Sequence, residues 1–184
     1  MPDNAVVPRT LKLTPSESVE IRNSTPEVLE VEATYRGATE KPPPSHYHPT
    51  QDEHFEVISG SIRARVGEDQ RDLGPGETLD IPRGTPHQMW NPHAEPARVR
   101  WETRPRGRTE RWFTAIDSLY RQGRVGSNGT PGPLAYGALL TEYDDVFRLA
   151  ARPEPVVRGA IALLGLAGRV KGYRAAELGE GATG

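Results

Sequence analysis

The sequence predicts a mainly β protein, a small antiparallel barrel or sandwich carrying a helical appendage. Three observations predict it. Short segments in which apolar and polar residues alternate recur from Val19 to Arg104, with turn signals about every 8–12 residues. Past Pro105 the apolar period changes from that of a strand to that of a helix. Between these regions, from His46 to Gly60, two histidines one residue apart are followed by a carboxylate and an apolar strand that ends at a turn.

In chain order, residues 1–15 read as a loose lead-in with a short edge strand at Leu11–Leu13. Val19 and Ile21 alternate with Glu20 and Arg22, a short half-buried strand. From Glu27 to Tyr35 the pattern is cleaner, with Leu29, Val31, Ala33 and Tyr35 on one face. Gly37 to Ser45 is a loop stiffened by Pro42, Pro43 and Pro44, suited either to line the mouth of a barrel or to serve as a surface connector.

In a strand, His46 and His48 point the same way. With Ser59 and Gly60 at the centre of a two-residue turn, Glu56 faces Arg63 and Glu53 faces Val66. One face of this expected hairpin is Glu53, Phe55, Val57, Ile62, Ala64 and Val66; the other carries His54, Glu56, Arg63 and Arg65. An inward carboxylate at Glu53 costs on the order of several kcal/mol unless paired or metal-bound. Two imidazoles and a carboxylate suit Fe, Mn, Ni, Cu or Zn. Further on, Leu79 and Ile81 share one parity, and His87, Met89 and Asn91 share another. A tight turn at Pro82-Arg83-Gly84 is expected to return the chain beside itself, starting His87 on the inner face.

The first stretch, His-x-His, four residues, Glu, six residues, Gly, resembles the first cupin motif. The second, Gly76, five residues, Pro82-x-Gly84, two residues, His87, three residues, Asn91, resembles the second motif at every spacing. The glycine that usually opens the first motif is displaced to Gly37, with the three prolines filling the gap. The resemblance spans roughly residues 28–104 and implies a cupin, an RmlC-like jelly-roll antiparallel β-barrel. It also implies His46, His48, Glu53 and His87 as ligands of one divalent transition metal ion.

Pro96–Arg104 adds a strand in which Ala97, Val99, Trp101 and Thr103 face inward. Thr109–Gln122 carries Trp112, Phe113, Ile116, Leu119 and Tyr120 at helical spacing, with Thr109 as N-cap and Gly123 as stop. Leu134–Ala150 reads as a second helix and Val156–Val170 as a third, buried against the barrel or a partner subunit. The expected organisation is a β domain with its lead-in over 1–104, a helical extension over 105–178 and a disordered tail over 179–184. At least one helix is expected near the ligand entrance, and the helices to extend a homodimer contact.

The chain has 184 residues, a net charge of −2 and no cysteine. Thiolate sites and disulfides are excluded, and nothing in the charge favours nucleic acid. No signal peptide or membrane span is legible, so a cytoplasmic protein is expected. The partner expected is a small molecule. Near the ligands the inward residues are mostly apolar, namely Phe55, Val57, Ile62 and Met89, with Asn91, Tyr35 and Gln51 as polar additions. No further inward carboxylate is evident. That composition favours an apolar or aromatic substrate and dioxygenase-type chemistry. Isomerase or cyclase activity and non-catalytic binding or sensing are the alternatives.

Overall fold

The computed structural model describes residues 9–126 and 130–173. Among them the strands are β1 (Thr10–Lys12), β2 (Glu17–Ser24), β3 (Leu29–Tyr35), β4 (His46–Tyr47), β5 (Asp52–Ser59), β6 (Ile62–Val66), β7 (Asp69–Leu73), β8 (Thr78–Ile81), β9 (His87–Trp90), β10 (Ala97–Arg104) and β11 (Arg148–Leu149). The helices are α1 (Thr109–Arg121), α2 (Pro133–Glu142) and α3 (Glu154–Val170). Two antiparallel sheets result, ordered β1-β2-β3-β10-β5-β8 and β11-β4-β9-β6-β7. Their inward faces share one core, from Leu11 and Val19 through Val57 and Ile62 to Val99. This is a double-sheet jelly roll; among the described residues no ladder joins the two sheets into a closed barrel.

The strands form where the alternation predicts. β3 buries Leu29, Val31, Ala33 and Tyr35, and β10 buries Ala97, Val99, Trp101 and Thr103. The expected hairpin from Glu53 to Val66 does not form. β5 pairs with β10 and β8, whereas β6 pairs with β7 and β9. Each strand thus satisfies both backbone edges, which a lone hairpin leaves half open. The Ser59–Ser61 corner carries the chain from one sheet to the other. Gly60 sits there at φ 72°, and a Cβ would lie 2.4 Å from the Pro96 carbonyl oxygen. Inward parity survives because a strand's faces do not depend on its partner: Glu53, Phe55, Val57, Ile62 and Ala64 are all buried. The Glu56–Arg63 pair does not survive. Glu56 meets Arg100 at 3.2 Å and Arg63 meets Asp72 at 2.6 Å.

The Pro82–Gly84 turn likewise changes sheets instead of folding β9 back beside β8. Gly84 adopts φ 77° and its N–H donates to the His48 carbonyl at 2.8 Å. The crossing brings β9 beside β4, with His87 opposite His46.

The helical region departs further from expectation. Thr109 does not cap α1; its hydroxyl accepts the Gln51 amide, and the N-cap position is Arg108 with no side-chain cap. Gln51 therefore braces the 105–109 linker and is not part of the inner pocket. The second helix ends at Glu142, not Ala150, because Arg148 and Leu149 instead pair with Tyr47 and His46 as β11. Within this chain the third helix is not buried against the barrel. Its buried residues are Gly165 and Gly168, pressed against α2, while Val156, Leu163, Leu166 and Val170 are exposed. The close approach needs the glycines, since a Cβ on Gly165 would lie 2.9 Å from the Gly137 carbonyl oxygen. No helix among the described residues is long and apolar enough to cross a membrane. The expected disordered tail, 179–184, lies outside the described residues.

Candidate metal centre

Three short elements bring the histidines together. β4 supplies His46, the residue following it His48, and the first position of β9 His87. A ligand nitrogen from each lies within 4.8 Å of the other two. Glu53, one residue into β5, is buried beside them. Its Oε1 is 3.3 Å from His48 Nε2, and its Oε2 is 3.1 Å from His87 Nε2. The carboxylate contacts two of the three imidazoles, and the three nitrogens form the tight group.

Each imidazole is oriented through its other nitrogen. Nδ1 of His46 lies 3.2 Å from the Pro44 carbonyl oxygen, that of His48 2.6 Å from Val146, and that of His87 3.0 Å from Thr85. A carbonyl oxygen only accepts, so each Nδ1 carries the proton and each Nε2 keeps its lone pair. His48 Nε2 and Glu53 Oε2 are buried with no hydrogen-bond partner. Uncompensated, two such atoms cost a few kcal/mol, on the order of 1–3 each. The donor set of three neutral imidazoles and one carboxylate, with its orphaned atoms and its backing carbonyls, fits a divalent transition metal ion.

The electrostatics agree for His46 and His48 and run the other way for His87. Burial and the neighbouring His87 and His48 hold His46 well below the ordinary histidine range. Burial also lowers His48, against the pull of Glu53. Burial pushes Glu53 up, but His48, His87 and the Trp101 indole N–H, 3.0 Å from Oε1, outweigh it and leave the carboxyl below its usual range. Burial lowers His87, yet Glu53 and the Thr85 carbonyl leave it raised.

The group opens on a cavity of about 190 Å³ walled by Phe55, Met89, Trp101, Trp112, Phe113, Ile116 and Phe147. Pro43 and Pro44 line it too, so the proline loop does form part of the mouth. The helical region closes on the centre. Phe147 stacks on the His46 ring at 4.4 Å, Trp112 stacks on Phe147 at 5.0 Å, and Val146 orients His48. Outside the site, His54 faces outward on Asp80, and His93 is half-buried near Asp72.

One residue of the cavity escaped the sequence reading. Glu17 lines it, contrary to the expectation of no further inward carboxylate, directly opposite Tyr35 in the β2–β3 ladder, which lies inward as expected. The signal was present: Glu17 shares parity with Val19 and Ile21. Burial, and to a smaller extent the Glu53 charge, raise Glu17 to about 7 against the lowering effect of the Tyr35 phenol.

Residues 35–101 match the family model described as Cupin domain. The chain is 37% identical over 60 residues to the tetracenomycin polyketide synthase protein TcmJ of Streptomyces glaucescens. That similarity covers 33% of this chain and 40% of the relative's length. Among solved structures, KdgF from Halomonas sp. is 19% identical, with a TM-score of 0.49, 55% of this chain covered and 92% of that one. An RmlC-like cupin from Shewanella frigidimarina is 13% identical, with a TM-score of 0.49 and 56% and 88% covered. Both motifs lie inside the matched segment and a jelly roll surrounds them, so residues 35–101 form a cupin domain.

Proposed function

We propose that this protein binds one divalent transition metal ion through His46, His48, His87 and Glu53 and acts on a small apolar or aromatic molecule held in the cavity. The observation that carries the reading is the convergence of three imidazoles, two of them buried, with the buried Glu53 carboxylate against two of the three and two atoms left without a partner, at the wall of an aromatic-lined cavity. A bound metal supplies a Lewis acid that polarises a carbonyl or hydroxyl oxygen of the ligand. The chain's own contribution is orientation and water exclusion. The three carbonyls fix the imidazoles, Trp101 holds Glu53, and Phe147 and Trp112 cover the His46 ring.

Isomerase or cyclase chemistry is favoured within this reading, because Glu17 supplies the spare carboxylate that the sequence left out. The likeness to TcmJ, a polyketide synthase protein, supports a polyketide-like, polycarbonyl substrate. Dioxygenase-type chemistry is the second reading. It is favoured by a donor set of His46, His48, His87 and Glu53 that would leave room for substrate and dioxygen on an ion taking more than four ligands. A homodimer is also proposed, with the exposed α3 positions Val156, Leu163, Leu166 and Val170 as its contact; light scattering of a Leu163→Glu, Leu166→Glu variant tests it.

Elemental analysis of the untagged protein, followed by dioxygen-uptake assays with aromatic and diketone substrates, tests the main reading. One metal per chain, lost in His87→Ala, is expected, with turnover that consumes no dioxygen. Absence of bound metal in the native protein refutes it, and dioxygen consumption selects the second reading.

A further inference from the structure

Glu17 is the first residue of β2, held at the end of a turn in which the N–H groups of Leu13 and Thr14 both donate to its carbonyl, at 3.0 and 3.2 Å. Its ladder partner is Tyr35, which is 5% exposed and is itself locked between β2 and β10. Cross-strand partners project to the same face, so the carboxyl and the phenol face the cavity together on the inward side, where the phenol favours the ionised carboxyl. The phenol is held well above its ordinary value by burial and by Glu17, so it stays protonated and donates. Both side chains line the cavity that holds His46, His48, Glu53 and His87. Among the described residues Glu17 is not part of the ligating group of His46, His48 and His87.

Resting on the metal-centred reading above, we propose that Glu17 is the proton acceptor of this cavity, positioned by Tyr35, and that its substrate is a carbon acid: a small aryl ketone or polyketone. The carboxylate removes a proton from the carbon next to a carbonyl. The C–H electron pair moves into the carbon–oxygen framework, giving an enolate, and the proton resides on Glu17. Return of that proton to another carbon is an isomerisation. Attack of the enolate carbon on a second carbonyl forms a C–C bond, and the new alkoxide takes the proton from Glu17. Neither outcome changes the oxidation level or calls for a co-reactant. A carboxyl held near neutrality suits this task, since a base works best when its affinity for the proton lies near the working pH. The groups that face Glu17 are Tyr35 from β3, Glu53 from β5 and Tyr120 from α1, and the Lys12 ammonium lies over the Tyr120 ring at 5.1 Å.

The test is deuterium incorporation from heavy water into acetophenone, 1-tetralone and 1-phenylbutane-1,3-dione, with the metal-loaded full chain. A parallel carbon-13 carboxyl titration of the metal-free protein is read independently of turnover. Exchange is expected to rise with pH through the neutral range and to fall about 100-fold or more in Glu17→Gln, with metal content unchanged. Tyr35→Phe removes the phenol that favours the ionised carboxyl, so the midpoint of the exchange profile should move to higher pH. One carboxyl titrating near neutrality in the wild-type chain, and missing in Glu17→Gln, is the matching spectroscopic result. Exchange that survives in Glu17→Gln, or no exchange in the metal-loaded wild-type protein, overturns the proposal and leaves the metal site standing. Exchange lost in Glu17→Gln but indifferent to chelation and to His87→Ala supports the base and overturns the metal reading.

Discussion

Replacing Glu17 by Gln should change how stability depends on pH, with a sign and size set by its burial. The free carboxyl titrates at 4.5, and in the folded chain at about 7. Between these values the folded protein holds one proton more than the unfolded chain, so unfolding free energy falls as pH rises. This stability is fully present below pH 4.5, is lost as pH rises through the folded value, and stays lost above about 7. At about 1.4 kcal/mol per pH unit, the interval allows a loss of roughly 3 kcal/mol, and about 2 is expected because Glu17 retains some solvent contact. Gln cannot titrate. The assay is urea denaturation of metal-free wild-type and variant protein at half-unit steps from pH 5 to 8. The wild-type curve should fall relative to the variant by about 2 kcal/mol across that range. Parallel curves would show that Glu17 ionises as freely folded as unfolded, and would refute the account of its burial.

Three further outcomes follow from the same geometry. Phe147→Ala removes the ring stacked on His46, and metal affinity measured by competition with a chelator should drop about 10–100-fold. Trp101→Phe removes the N–H donated to Glu53 Oε1, and calorimetry of the metal-free protein should show a loss of about 1–3 kcal/mol, since the carboxylate then lacks its donor. Gly60→Ala places a Cβ 2.4 Å from backbone at φ 72°, whereas Gly67→Ala at φ 60° meets nothing within 4 Å. The first should cost about 3 kcal/mol or more and the second about 1–2; equal costs would mean that the Ser59–Ser61 corner is not sterically fixed.

Face assignments were legible wherever side-chain parity alone decides them, because alternation is a property of one strand. Leu29, Val31, Ala33 and Tyr35, the inward set from Glu53 to Val57, and Ala97, Val99, Trp101 and Thr103 all lie inward as expected. Strand partners were not legible. Whether Val57 sits beside Ile62 or beside Val99 depends on which pairing satisfies both edges of every strand, and local turn chemistry at Ser59-Gly60 favours either. The helical region shows the same limit from the other side. Phe147 and Val146 carry a helical spacing with Tyr143 and Ala150, yet the backbone at Arg148–Leu149 gains ladder bonds to β4 by leaving the helix.

That departure is also what makes the extension part of the site. A helix continued to Ala150 would have kept its carbonyls for its own N–H groups. Breaking it frees the Val146 carbonyl for His48 Nδ1, seats the Phe147 ring on His46 and draws in Trp112 of α1 behind it. The motif segment supplies the donors, but one imidazole's tautomer and another's packing come from more than forty residues beyond it, where the sequence shows an unremarkable apolar stripe. A chain ending after β10 would therefore retain all four donor residues and lose the groups that orient two of them.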